Sequence, residues 1–224
     1  MDWQAFWLTI RLALLVAGIL LLLGVPVAYW ITFSRSRWKF ILEAIVALPI
    51  VMPPTVLGFY VLFALGPRTP LGRLWIHMTG HTLAFTFAGL VIGSILYSFP
   101  FAVQPFAASF GAVDTTLLDA SATLGASRWR TFARVILPLS TSGLVTGVAL
   151  TFAHTMGEFG VVLMVGGNIP GVTRTVSIAI YDQVQAANYA AANQLALLLL
   201  AIAFITLSLV YGMNRRIWAI WPWK

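Results

Sequence analysis

Long apolar runs separated by short polar segments dominate the hydrophobic pattern of this chain. The hydrocarbon core of a bilayer needs about 20 apolar residues for each helical crossing. Five runs approach or exceed that length, at residues 12–33, 44–65, 82–113, 139–165 and 195–213. We therefore predict an all-α, polytopic membrane protein with about five transmembrane helices, folded as a single domain over residues 1–224.

The composition agrees with that pattern, since 60% of the 224 residues are hydrophobic and only 8% are charged. The formal net charge is +7. Nucleic-acid-binding proteins also reach such values, but an excess of Lys and Arg is equally typical of the cytoplasmic loops of membrane proteins. We expect membrane lipid around this chain and no nucleic acid. The chain contains no Cys, which excludes disulfides and thiol chemistry.

The basic residues predict the orientation of the chain. Nine of them fall on one side of the predicted crossings: Arg35, Arg37, Lys39, Arg128, Arg130, Arg134, Arg215, Arg216 and Lys224. Arg68, Arg73 and Arg174 fall on the opposite side, and Arg11 lies at the outer edge of the first run. Because Lys and Arg accumulate in cytoplasmic loops, we predict that the N-terminus lies outside and the C-terminus lies in the cytoplasm.

Two of the apolar runs contain residues that do not suit a plain transmembrane helix. Pro53 and Pro54 interrupt the second run, where each removes a backbone donor and bends or breaks the helix. Such a break indicates either a broken helix that lines a path or an ordinary kink between packed helices. His154 and Glu158 lie four residues apart in the fourth run, and this spacing predicts one shared helix face.

Ionisable groups at membrane depth are costly and usually face a cavity or a partner. His154 and Glu158 are therefore interpreted either as a polar patch at a pathway or dimer seam, or as a local hydrogen-bonded pair that only packs the helix. No third ligand or nucleophile is spaced to join them, so we expect no catalytic site, no metal site and no bound cofactor. The candidate path or gate residues are Pro53, Pro54, His154 and Glu158.

The segment between the third and fourth runs, at about 114–138, predicts two short helices joined at Gly125. Asp114 and Ser127 are suited to cap the two helices, and Gly125 stands where the chain must turn. The spacing places Trp129, Phe132, Ala133 and Ile136 on one apolar face of the second helix, and Pro138 in the first turn of the fourth crossing. The segment is either an amphipathic loop whose arginines set topology, or a protrusion built for a partner's groove.

This segment resembles the cytoplasmic "EAA" loop of ABC importer permeases. The family pattern is EAA, three residues, Gly, nine residues and I-x-L-P; this chain has Asp119-Ala120-Ser121, Gly125, and Val135, Leu137 and Pro138 at the same spacing. In that family the loop forms a coupling helix that docks into a cleft of the ATP-hydrolysing subunit. The resemblance implies the following residues at this contact: Asp119, Ala120, Ser121, Leu124, Gly125, Arg128 and Arg130.

Three further stretches, "LPIVMPPTVLGF", "GEFG" and "GNIPGVTRTVSIAIYDQVQ", resemble the molybdate transport permeases. The resemblance implies a permease, not an enzyme, in a bacterial or archaeal plasma (inner) membrane, importing molybdate or tungstate as a homodimer. It also implies two partners: an ABC ATPase in two copies, which carries ATP and Mg, and a periplasmic or extracellular oxyanion-binding protein. No P-loop motif occurs in this chain. A sulfate-type permease and a self-sufficient channel or secondary carrier are the alternatives.

Overall fold

The computed structural model describes residues 2–220, and it describes side chains for residues 2–212. The described part of the chain is helical and contains no strand. Its helices are α1 (Trp3–Phe33), α2 (Lys39–Val51), α3 (Pro54–Ala64), α4 (Pro70–Thr79), α5 (Phe87–Gly111), α6 (Thr115–Thr123), α7 (Arg128–Thr131), α8 (Leu137–Leu139), α9 (Thr141–Gly157), α10 (Gly160–Gly166), α11 (Val176–Gln185) and α12 (Tyr189–Ile220). One π-helical turn, Phe132–Ile136, joins α7 to α8.

Three unbroken helices are long and apolar enough to cross a membrane: α1, α5 and α12 over Tyr189–Gly212. Two bent pairs complete the set, α2 with α3 and Arg128–Leu139 with α9, so the number of spans is five if each bent pair counts as one. The all-α polytopic fold is confirmed. Pro100 and Pro105 lie inside α5, which continues through both.

The second apolar run does not form the straight crossing that the hydrophobic pattern predicts. α2 and α3 meet at Met52 and Pro53 with a bend of 113°. Pro53 and Pro54 have no backbone N–H to continue the ladder of α2, and Pro54 instead occupies the first turn of α3, where no donor is needed. The prolines therefore break the helix rather than kink it.

The fourth run also departs from its predicted boundaries. Pro138 lies in the three-residue helix α8, and α9 begins only at Thr141 after a bend of 70°. α9 then ends at Gly157, because Glu158 adopts an extended conformation, and α10 covers the remainder of the run. The run from Leu139 to Val165 is therefore not one continuous crossing helix.

The main core lies where α1, α5 and α9 pack together. Leu12, Val16 and Leu20 of α1 meet Phe106 and its neighbours on α5. α9 approaches α5 closely at Gly147, where an added Cβ would lie 2.5 Å from the Phe106 ring. Small residues permit such approach between apolar helices, where packing replaces the hydrophobic effect as the driving force.

Two smaller clusters attach the remaining helices. Val61 of α3 and Leu65, which caps the end of that helix, pack against Val161 and Val165 of α10. α11 is joined to both α1 and α12 through Ala5, Val176, Ala179 and Leu195, and Thr9 Oγ1 accepts a 2.9 Å hydrogen bond from the Val176 amide. The N-terminal helix is thus fixed to the segment that precedes the last crossing.

Candidate coupling surface and translocation path

The loop between α5 and α9 forms the predicted pair of short helices. α6 ends in the two hydrogen bonds of a Schellman motif. The Gly125 amide donates to the Ala122 carbonyl (2.9 Å), and the Ala126 amide donates to the Ser121 carbonyl (3.0 Å). Gly125 has φ of +72°, the left-handed conformation that this helix ending requires. A Cβ at Gly125 would meet nothing within 4 Å. The glycine is therefore required by its backbone angle and not by crowding.

Three side-chain hydrogen bonds fix the shape of this helix pair. Asp114 caps α6 by accepting from the Thr116 amide (2.9 Å), and Ser127 caps α7 by accepting from the Arg130 amide (3.3 Å). The bond to Thr116 lowers the pKa of the Asp114 carboxyl group because it favours the charged form. Ser121 Oγ and Thr131 Oγ1 lie 2.7 Å apart and join the two helices.

The loop is attached to the membrane helices through the π-helical turn. Phe132 stands edge-on to Tyr29 of α1 and Phe110 of α5, with ring centroids 5.2 and 6.0 Å away, and Ile136 is buried. Pro138 cannot donate a backbone hydrogen bond, which favours local rewinding just before it. The extra residue in this turn divides the predicted apolar face, so that prediction is wrong: Phe132 and Ile136 face the core, whereas Trp129 and Ala133 are exposed.

The solvent-exposed surface of the loop combines apolar side chains with charged side chains that have no ion-pair partner. Leu124 is 86% exposed and Trp129 is 74% exposed. In the part of the chain whose side chains are described, Asp119, Arg128 and Arg130 make no ion pair with one another or with any other residue. Ala120 is exposed as well, but Ser121 is half-buried and bonded to Thr131. Of the seven predicted contact residues, Ser121 therefore shapes the surface rather than forming it.

The two broken runs meet one another. The Cβ of Pro54, at the start of α3, would lie 2.7 Å from a Cβ placed on Gly160, at the start of α10. One turn further along, a Cβ on Gly58 would lie 2.8 Å from the Cβ of Met164. Pro53 is exposed and Pro54 half-buried. The structure thus brings Pro54 and the Glu158–Gly160 segment together, although they are about a hundred residues apart in sequence.

His154 and Glu158 do not share a helix face, because α9 ends between them. The predicted shared face is wrong, and of the two interpretations the local hydrogen-bonded pair is not the one found, since His154 and Glu158 do not bond to each other. His154 Nδ1 lies 2.9 Å from Ser98 Oγ, and its ring stacks on Phe101 with centroids 4.0 Å apart. Ser98 Oγ also lies 3.0 Å from Thr155 Oγ1. His154 is therefore held by α5, while Glu158 occupies the break that follows α9.

Glu158 is the most unusual residue of this region. It is 3% exposed, and neither of its carboxyl oxygens has a hydrogen-bond partner within the described residues. The neighbouring Ser94 Oγ of α5 is also buried and makes no hydrogen bond within the described residues. Burying such a group without a partner is costly, and an ionisable residue kept at that cost is a functional-site candidate. Only the Glu158 backbone is tied down, since its carbonyl accepts a hydrogen bond from Ser177.

Sequence reasoning did not find Ser94 and Ser98, although their spacing of four residues in an uncharged helix places both on one face. It also missed a polar network around Arg174. Arg174 donates to Asp182 (2.6 Å) and to Asn168 (2.7 Å), and it lies 3.7 Å from Asp2, which caps α1. Across the described residues, no group of three or more His, Cys, Asp or Glu is placed to hold a metal ion.

Comparison with known proteins gives a consistent family assignment. Residues 20–219 match the model of the family described as binding-protein-dependent transport system inner membrane component. The molybdenum transport system permease protein ModB of Azotobacter vinelandii is 48% identical over 214 residues, which cover 96% of this chain and 95% of the relative. ModB of Escherichia coli K12 is 34% identical over 92% of this chain and 90% of its own length.

A sulfate transporter and a solved structure extend the comparison. The probable sulfate transport system permease protein cysT of Chlorella vulgaris is 31% identical over 92% of this chain and 77% of its own. Among solved structures, an inward-facing conformation of the MetNI methionine ABC transporter superposes with a TM-score of 0.76. It is 16% identical and covers 96% of this chain and 95% of that one, so the likeness shows the fold.

Proposed function

Because the chain belongs to the binding-protein-dependent transport system inner membrane component family, we propose that it is the permease subunit of an ATP-driven importer for molybdate or the isosteric tungstate. Two copies form the path at their seam, two ABC ATPase subunits bind ATP and Mg²⁺, and an external binding protein delivers the oxyanion. The name shared by the ModB relatives, at 48% and 34% identity over nearly the whole chain, supports molybdate. The more distant cysT relative makes sulfate the second candidate.

The observation that carries this proposal is the helix–glycine–helix loop with its unpaired surface. An exposed Leu124 and Trp129 beside free Asp119, Arg128 and Arg130 suit a soluble partner. Aromatic and Arg side chains are the groups that most often dominate protein–protein contacts. A loop that only set topology would not require a glycine at φ of +72° or a Ser121–Thr131 bond to hold its shape.

The structure offers a continuous route from this loop to the broken helices. Phe132 packs the loop against α1 and α5. Ser140, just before α9, donates its Oγ hydrogen to the Ser109 carbonyl of α5 (3.2 Å). α9 then leads to Glu158, and the start of α10 packs against Pro54. Closure of the two ATPases would move both loops together, and through α9 it would shift the contact between α10 and α3. A change at that contact would open the path to one side or the other.

The orientation follows from the same assignment. A coupling loop must face the cytoplasm, which places Arg35 and Arg37 at the inner surface, and Asp2 with the Arg174 network at the outer surface. The side chains of Arg215 and Arg216, and Lys224 altogether, lie outside the described residues. Reporter fusions test the orientation: one after Lys224 should report cytoplasm, and one near Gly72 should report the outside. The reverse pattern would contradict the assignment of the loop.

Transport in vesicles tests the function. Purified permease would be reconstituted with and without its co-purifying ATPase, together with the binding protein, and molybdate uptake would be followed with ATP inside or absent. We expect uptake only with the ATPase and ATP. Uptake by the permease alone would instead indicate a channel or secondary carrier. Uptake of sulfate that excess molybdate does not inhibit would indicate that sulfate, and not molybdate, is the transported ion.

A further inference from the structure

The short helix α4 lies at an end of the membrane helices without crossing the membrane. It has 10 residues and is therefore about 15 Å long, half of what a crossing needs. It stands between α3 and α5, so it lies at the membrane surface where α5 begins. Thr69 caps its start by accepting from the Gly72 amide (3.0 Å), and Gly80, at φ of +78°, ends it. Both ends are well defined, which marks α4 as a formed helix rather than an irregular loop.

One face of α4 is fixed against the protein. Gly72 is buried, and a Cβ there would collide with the Gly66 carbonyl. Trp75, three residues on, packs into the cluster that contains Val61 and Leu83. Gly72 and Trp75 lie on one side of the helix, and their contacts fix the rotation of α4 about its own axis. The directions of its other two faces are therefore set by the fold.

A second face is apolar and has no partner within the described residues. Leu71, Leu74 and Met78 are 52%, 59% and 73% exposed. Their spacing of three and seven residues places them on one side of the helix. These three large apolar side chains form a continuous stripe along α4, and exposing that stripe to water is unfavourable.

The third face is cationic. Arg73 and His77 lie four residues apart and are exposed, and Arg68 is exposed just before the helix begins. No ion pair among the described residues includes Arg68 or Arg73. The sequence contains no Asp or Glu between Glu43 and Asp114, so this part of the chain carries only positive charge.

We propose that α4 is a membrane-surface helix, whose stripe of Leu71, Leu74 and Met78 enters the boundary between acyl chains and headgroups, and whose Arg68 and Arg73 bind the phosphates of acidic phospholipids. An apolar face beside a cationic face is the pattern of helices that lie in the plane of a bilayer interface. Arg side chains reach from such a position to the headgroups. The proposal is independent of the transported ion and of which membrane side α4 occupies.

Charge favours lipid over a second copy of this chain as the occupant. Two copies meeting through this stripe would bring Arg68 and Arg73 of one close to the same residues of the other, with no acidic residue of the segment to offset them. An acidic lipid supplies both the acyl surface for the stripe and the phosphate for the arginines. The membrane also surrounds the ends of α3 and α5 in any case.

The absence of Cys from the chain makes a direct test possible. Five single-site variants would carry a spin label in the assembled transporter: Leu71→Cys, Leu74→Cys, Met78→Cys, Arg73→Cys and His77→Cys. In vesicles of phosphatidylcholine with one quarter phosphatidylglycerol, collision with oxygen and with a water-soluble nickel chelate would be measured. We expect the ratio of oxygen to nickel access to be at least threefold higher at positions 71, 74 and 78 than at 73 and 77.

Two results would overturn the lipid contact. Equal nickel access at all five positions would place α4 in water, away from the bilayer. Low access to both reagents at 71, 74 and 78 would show that protein covers the stripe. The charge contribution is tested in the Met78→Cys chain. With Arg68 and Arg73 intact, we expect the oxygen-to-nickel ratio at position 78 to depend on phosphatidylglycerol. Arg68→Gln with Arg73→Gln should abolish that dependence.

Arg35→Gln with Arg37→Gln, at the opposite membrane surface, is the matched control and should leave the position-78 signal unchanged. If the unmodified arginines give the same signal in phosphatidylcholine alone, the binding of acidic lipid is contradicted.

Discussion

Gly160 lies against Pro54 so closely that a Cβ on the glycine would come within 2.7 Å of the proline Cβ. This contact joins the two places where a membrane helix is broken, the α2–α3 bend and the end of α9. The break at Pro53 and Pro54 follows from proline chemistry, but its partner across the contact belongs to a segment far away in sequence. The proposed change between inward- and outward-facing states passes through this contact.

Adding a methyl group at this contact should therefore disturb both packing and transport. We expect Gly160→Ala to destabilise the permease by about 1–3 kcal/mol, the usual cost of overpacking, and to slow ATP-dependent uptake. Gly157→Ala is the matched control three residues earlier, because a Cβ there meets nothing within 4 Å. Thermal unfolding in detergent measures the first effect and vesicle uptake the second. Equal behaviour of the two variants would contradict the role of the Pro54 contact.

The coupling loop should depend on the backbone conformation of Gly125. Gly125→Val places a β-branched side chain at φ of +72°, at a cost of about 1–2 kcal/mol or more, and we expect it to weaken co-purification of the ATPase. Gly125→Asn is the control, because Asn adopts left-handed angles more readily, and it should retain the ATPase. Loss of the ATPase in both variants would indicate that the added side chain, and not the turn, is responsible.

Variants at Phe132 and Trp129 should distinguish the packing of the loop against the membrane helices from its contact with the ATPase. Phe132→Ala removes contacts with Tyr29 and Phe110, so we expect lower thermal stability, by less than the roughly 3–5 kcal/mol of a fully buried Phe, and weaker coupling of ATP hydrolysis to uptake. Trp129 is exposed, although its ring lies 5.6 Å from that of Phe132, so Trp129→Ala should lower stability less than Phe132→Ala does and weaken ATPase binding by about 2 kcal/mol if it anchors the contact. Unchanged ATPase affinity in Trp129→Ala would remove this residue from the docking surface.

Glu158 should matter to transport more than to folding. Its carboxyl group is buried without a partner within the described residues, and a buried neutral amide of the same shape costs no more than a buried group that can carry a charge. We therefore expect Glu158→Gln to assemble with an unchanged or higher unfolding temperature and to alter the rate of molybdate uptake. Ser94→Ala tests the neighbouring hydroxyl in the same assays. A variant that transports at the original rate would leave Glu158 as a packing residue only.

Features that depend on local chemistry could be predicted from the sequence. The apolar runs, the caps at Asp114 and Ser127 and the turn at Gly125 each depend on a few adjacent residues, and the structure contains all of them. The π-helical turn could not be predicted, because it arises from Pro138 together with the packing of Phe132 against two distant helices. The isolation of Glu158 from His154 depends on where α9 stops, and the Arg174 network depends on the docking of α11 beside Asp2.

The most direct test of the central proposal is a cross-link from the loop to the ATPase. A single Leu124→Cys in this cysteine-free chain would carry a short photoreactive label in the reconstituted transporter, with Met78→Cys at the opposite membrane surface as control. We expect position 124 to capture an ABC ATPase subunit, identified by its P-loop peptide, with a yield that changes when ATP is bound. Absence of that subunit from the position-124 product, in a transporter that still imports molybdate, would contradict the assignment of residues 114–138 as the coupling loop.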